Sequence, residues 1–169
     1  MTGGDTDDGG AAAFDRIVDS IDPPMYVVTA AAGGERSGCL VGFATQASID
    51  PPRLLVCLSK VNHTFAVAAA TDLLAVHVLR RGDHHLARRF GHETGDEVDK
   101  FAGLDVTSGP GGVPVLAGLD HVVGRVLDRV DCGDHVAVLL APEGGDASHA
   151  DEPQLGLRDV TDVEPGHPA

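Results

Sequence analysis

Residues 38–65 read GCLVGFATQASIDPPRLLVCLSKVNHTF, and this stretch decides the fold. Two short apolar runs, Cys39–Phe43 and Leu54–Leu58, flank a polar segment, Ala44–Ser48, and a stop at Asp50-Pro51-Pro52. The runs are bounded by Gly and Pro and carry Val at 41 and 56, which predicts buried strands rather than a helix. Pro51 and Pro52 lack a backbone N–H, so a sheet ladder must break there. Past the second run, Ser59-Lys60 leads to Asn62, a helix-capping residue type, and then to the helix formers Ala66, Ala68, Ala69 and Ala70.

A helix N-terminus carries unpaired N–H groups and a partial positive charge. With the hydroxyls of Ser59 and Thr64, the Lys60 ammonium and His63 beside it, this corner has the chemistry to take a phosphate. The plainer alternative is an ordinary strand-to-helix loop with capping hydroxyls. Thr45, Gln46, Ala47 and Ser48, on the neighbouring strand, offer hydrogen-bonding groups to the edge of a flat heterocycle. Their plainer alternative is a polar sheet edge or bulge.

Further along come LARRFG at 86–91, DKFAG at 99–103, PVLAG at 114–118 and CGDH at 132–135. Together with TQASIDPPRLLVCLSK and NHTF, in this order, they resemble the flavin reductase-like, FMN-binding split-barrel family. The resemblance covers roughly residues 20 to 141. It implies a mainly β protein: an antiparallel, Greek-key type split β-barrel with a few short helices. It also implies a homodimer holding FMN, or FAD, near the subunit interface, with NADH or NADPH as reductant. Within the resemblance, residues 45–48 line the flavin ring through backbone groups, and Ser59, Lys60, His63 and Thr64 take the phosphate. Phe65 is a candidate to lie near the flavin, although core packing is the favoured reading of it. Arg89, favoured over Arg88, completes the charge balance at the phosphate. The Gly133-Asp134-His135 motif is associated with nicotinamide, with a simple hairpin turn as the alternative.

The chain has 169 residues, which suits one domain with a substantial core. Twelve Lys and Arg stand against 26 Asp and Glu, a net charge of −14, which argues against a nucleic-acid binder. No run approaches a membrane span, and the acidic start MTGGDTDDGG is unlike a signal peptide, so a cytoplasmic protein is expected. Cys39, Cys57 and Cys132 form no CxxC pair; the first two sit in apolar runs as small hydrophobes. His84, His85 and His92 lack carboxylate or Cys companions at a known spacing, so no metal site is expected.

Residues 1–13 read as a disordered tail, 14–163 as the domain and 164–169 as a second tail. Phe14–Ser20 predicts a short helix packed on the barrel. Met25–Ala31 and Ser37–Gln46 predict a hairpin closed by Gly33-Gly34. A helix over 63–71, a strand over 73–79 and a short helix over 83–90 follow. Residues 119–130 have apolar spacing compatible with a helix, but four valines and Gly124 favour a strand, paired with His135–Ala141. Pro142–Pro153 reads as a surface loop and Gln154–Val163 as a last strand.

No Ser–His or Cys–His nucleophile constellation stands out. That fits chemistry carried by a cofactor: hydride passes from nicotinamide C4 to flavin N5, and the protein positions the two. The expected function is therefore an NAD(P)H-dependent flavin reductase, with a flavin-dependent monooxygenase as a candidate consumer of reduced flavin. The alternatives are a flavin-binding protein that stores flavin or reduces another acceptor such as a quinone, and a cofactor-free barrel acting as an interaction partner.

Overall fold

The computed structural model describes residues 8–92 and 98–164. The two expected tails therefore lie partly outside the described residues. Helix α1 spans Asp8–Ser20, so it starts within the stretch read as a tail. Its Phe14 and Ile17 are 65% and 62% exposed, and the expected packing of this helix on the barrel is not seen.

The main sheet is seven-stranded and antiparallel. It is built from β1 (Tyr26–Ala32), β2 (Glu35–Val41), β3 (Ala44–Ser48), β4 (Arg53–Ser59), β5 (Leu73–Val78), β8 (His121–Asp131) and β9 (His135–Asp146), in the order β2-β1-β5-β8-β9-β4-β3. Strands β6 (Val106–Ser108) and β7 (Pro114–Leu116) form a separate two-stranded ribbon. The Asp50-Pro51 peptide is cis, in the turn between β3 and β4.

The main sheet curls around one interior. Val28 and Ala30 of β1, Cys39 and Val41 of β2, Val56 and Leu58 of β4, Leu74 and Val76 of β5, and Val136, Val138 and Leu140 of β9 share one core cluster. Helix α2, His63–Ala69, adds Val67 and Ala68, and it touches β1, β2 and β4. It thus bridges the two ends of the curled sheet. On the other face of β1 and β2, helix α3 (His84–His92) packs Leu86, Ala87 and Phe90 with Met25, Val27 and Leu79.

Three further expectations change. The predicted Ser37–Gln46 strand is two strands, β2 and β3, parted at Gly42-Phe43. Strand β9 runs on through Pro142 to Asp146, where a loop was expected. Beyond Leu140 only β8 pairs with it, so Pro142 has a side on which no ladder hydrogen bond is needed. Residues 154–163 supply isolated bridges, Arg80 to Gln154 and Pro24 to Gly156, and a 3-10 turn at Leu157–Val160 rather than a strand. This segment lies beside a buried ion pair, Arg80 Nη2 to Asp120 Oδ2 at 2.6 Å.

Candidate functional site

Strand β4 ends at Ser59, which faces His135 at the start of β9. Asn62 caps α2: its Oδ1 accepts the Thr64 N–H at 3.0 Å, and its carbonyl accepts the Phe65 N–H at 2.9 Å. Two amides expected to face an anion are therefore already satisfied within the cap. The Thr64 hydroxyl is also turned inward. It is fully buried and shares a 2.8 Å hydrogen bond with the Ser37 hydroxyl, tying α2 to β2. Phe65 is half-buried against the main core, as the packing alternative had it.

Ser59 pairs with His135, and Lys60 and His63 follow it into α2, but their side chains turn to different hairpins. The Lys60 amide donates to the Asp134 carbonyl at 2.9 Å, which joins the corner to the β8–β9 turn. Each basic candidate here meets a carboxylate. Lys60 Nζ lies 2.7 Å from Asp131 Oδ2, His63 Nε2 lies 2.5 Å from Glu35 Oε1, and His135 Nδ1 lies 2.7 Å from Asp134 Oδ1. The Lys60 hydrogen bond, the Gly133 amide and the Lys60 charge hold the Asp131 carboxyl below its usual range. The His135 hydrogen bond does the same for Asp134.

Strand β3 is the edge strand beside β4, with Thr45 opposite Leu55, Gln46 opposite Leu54 and Ser48 opposite Arg53. The register shifts between Gln46 and Ser48, so the strand bulges at Ala47. Thr45, Gln46 and Ala47 are exposed, and the strand's outer edge faces no other strand of the sheet. From Leu55, opposite Thr45, to Ser59 is about 13 Å of extended strand. An exposed polar strand edge and a cation-bearing corner thus lie along one strand, within the span of a whole flavin mononucleotide, rings and ribityl phosphate together. The residues present fit a flavin.

Phe43, expected to end a buried strand, is 56% exposed, and its ring centroid lies 5.1 Å from that of His135. Sequence reading missed this aromatic partner; its place just before the polar segment was the available signal. Arg89 is not brought to the corner within the chain. It sits on α3, across β2 from Thr64, and donates to the Ala102 carbonyl. Cys39 is buried, and burial pushes its thiol up to about 11. Cys57 is only half-buried on the outer face of β4, so it is not the core residue expected.

The sequence profile of the family described as "Flavin reductase like domain" matches residues 18–160. The chain belongs to the flavin reductase-like family. It is 34% identical over 133 residues to the reductase subunit HsaB of a flavin-dependent monooxygenase from Mycobacterium tuberculosis, covering 74% of this chain and 70% of that one. It is 27% identical over 142 residues to putative diflavin flavoprotein A 3 of Nostoc, covering 83% of this chain. Among solved structures, the NADH:FAD oxidoreductase SgcE6 of Streptomyces globisporus C-1027 superimposes with a TM-score of 0.76 at 26% identity, over 92% of each chain. The chain spans only 25% of the Nostoc protein and about half, 51%, of the Rhodococcus jostii HsaB that it also matches. No described helix is long and apolar enough to cross a membrane.

Proposed function

We propose that this flavin reductase-like chain is an NAD(P)H-dependent flavin reductase that binds FMN along β3 and β4. The observation that carries the reading is the run of exposed edge strand, cation-bearing corner and His135 along adjoining strands. When bound, the flavin accepts a hydride from the nicotinamide and passes its electrons on. The protein's own residues do the holding. Backbone groups of Thr45, Gln46, Ala47 and Ser48 face the ring edge, while Ser59, Lys60 and His63 face the phosphate.

Thr64 lies beneath the corner as a core residue, because its hydroxyl is spent on Ser37. His135 gives its Nδ1–H to Asp134, so the neutral ring offers Nε2 as an acceptor. An amide N–H of the nicotinamide carboxamide is a suitable donor to it. The similarity to a monooxygenase reductase subunit supports a flavin-dependent monooxygenase as the consumer of reduced flavin.

A homodimer fits one feature of the outer surface. Phe43 hydrogen-bonds across to Cys57, Cys57 pairs with Ala137, and Ala137 pairs with Val130, giving one apolar row across the sheet. Its ends, Phe43 and Val130, are 56% and 53% exposed. A second copy covering this row would also shield the site beside it.

The test is the absorption spectrum of the purified protein, titrated with FMN and then with NADH or NADPH. A perturbed flavin band and FMN-stimulated oxidation of the nicotinamide are expected. Flavin binding without turnover selects a store or a reductase of another acceptor; neither signal overturns the proposal.

A further inference from the structure

We propose that Asp131 is an internal competitor for the flavin phosphate, holding the Lys60 ammonium that the phosphate must capture and so keeping the flavin exchangeable. The inference rests on the reading of Lys60 as a phosphate-facing residue. Lys60 Nζ sits 2.7 Å from Asp131 Oδ2, a contact between residues 71 positions apart in sequence. The carboxylate is fixed from its other side, because Oδ1 accepts the Gly133 amide at 3.0 Å. Asp131 is therefore anchored in the β8–β9 turn, and the ammonium must leave it to reach a ligand.

The neighbouring charges reinforce this. Asp134 follows in the same turn, its carbonyl bonded to the Lys60 amide and its carboxylate to His135. Glu35 engages His63 on the other side. The corner sets three carboxylates, Asp131, Asp134 and Glu35, around the Lys60 ammonium and two histidines, which is a poor environment for a dianion. A protein built to retain a flavin phosphate would leave its lysine to the ligand. Here an anionic side chain already occupies that lysine, so phosphate entry exchanges one anion for another rather than gaining a new ion pair. A modest net gain suits a flavin that arrives, is reduced and departs.

Asp131→Asn separates this role from turn folding, since an amide oxygen still accepts the Gly133 N–H while the charge is gone. Dissociation constants for FMN and for riboflavin, which lacks the phosphate, are measured by flavin fluorescence for the wild type and for Asp131→Asn, alone and combined with Lys60→Met. The expected result is FMN binding tightened about two- to fivefold by Asp131→Asn, the scale of an exposed ion pair. Riboflavin binding stays unchanged, and the gain disappears in the Lys60→Met background.

FMN binding unchanged or weakened, in a protein that still prefers FMN to riboflavin, overturns the competitor role and leaves the phosphate reading standing. Equal tightening of riboflavin overturns it too, because the effect then belongs to the turn. Equal wild-type affinity for FMN and riboflavin removes the phosphate reading itself, and the inference with it.

Discussion

The Nε2 atom of His77 accepts the Leu116 amide at 3.0 Å, across 39 residues of sequence. Its Nδ1–H donates to the Val27 carbonyl at 3.0 Å, so one neutral, fully buried ring joins β5, β1 and β7. Burial lowers this imidazole to about 4 from an ordinary 6.5; the Val27 bond opposes the shift and the nearby His121 adds to it. An added proton would also destroy the acceptor that Leu116 needs. In the unfolded chain the ring takes its proton near its ordinary value. Between the two values the unfolded state holds more protons, so stability is fully kept above about 6.5 and falls as the pH drops towards 4. The full shift corresponds to about 3 kcal/mol. Urea unfolding across this pH window checks it. His77→Gln, whose amide offers one donor and one acceptor, is expected to be less stable at neutral pH but to lose less on acidification. Parallel pH slopes for the two proteins would assign the acid sensitivity to other groups.

Gly124 was the residue that made 119–130 a poor helix, and the sheet shows what the glycine is for. A Cβ at this position would lie 2.7 Å from the Leu140 Cβ, on a fully buried residue of β9. That neighbour is a side-chain root and cannot swing aside. Gly124→Ala is therefore expected to destabilise by about 1–3 kcal/mol, the usual cost of overpacking a core. The thermal midpoint read by circular dichroism checks this, and an unchanged midpoint would mean that the strands part without penalty.

Thr64 separates a core role from a ligand role. Thr64→Val removes the partner of the buried Ser37 hydroxyl and is expected to cost about 1–3 kcal/mol. Thr64→Ser keeps a hydroxyl there and should cost less. Because the group faces inward, the preference for FMN over riboflavin should stay within about twofold in both variants. A selective loss of FMN affinity would place the hydroxyl on the phosphate instead.

What could be read in the sequence was local. Val41, Val56 and the Pro51-Pro52 stop announced two strands and a turn, and Asn62 announced a helix start that the structure caps as expected. What could not be read was set by partners far along the chain. Pro142, Gly144 and Gly145 look like a loop by composition, yet they pair with Gly124, Val123 and Val122 because β8 supplies the ladder there. Likewise Ser59, Lys60 and His63 announced a corner, but nothing local says that Asp131 would occupy the lysine or Glu35 the histidine. Thr64 looked like a ligand hydroxyl because a residue's facing depends on the element packed beneath it, here β2 with Ser37. The apolar helix α1 failed in the opposite sense: spacing gave the helix, but spacing does not say what, if anything, covers its face.

His135 is where the fold, the turn and the proposed chemistry meet. Its ring lies between Phe43, at 5.1 Å between centroids, and Asp134, at 2.7 Å from Nδ1. Asp134 fixes the tautomer, and Phe43 limits the tilt. The tautomer so fixed presents Nε2 to a ligand, and a hydride transfer asks for no proton at that atom. His135→Ala is thus expected to raise KM for NADH about three- to tenfold, the scale of one lost hydrogen bond, with kcat less affected and FMN affinity unchanged. Asp134→Asn should produce a smaller rise, since an amide oxygen still accepts the Nδ1–H but no longer carries charge. Steady-state kinetics at saturating FMN checks both variants. If His135 merely closes a hairpin, KM stays constant in each, and the nicotinamide must then be held by residues of another strand.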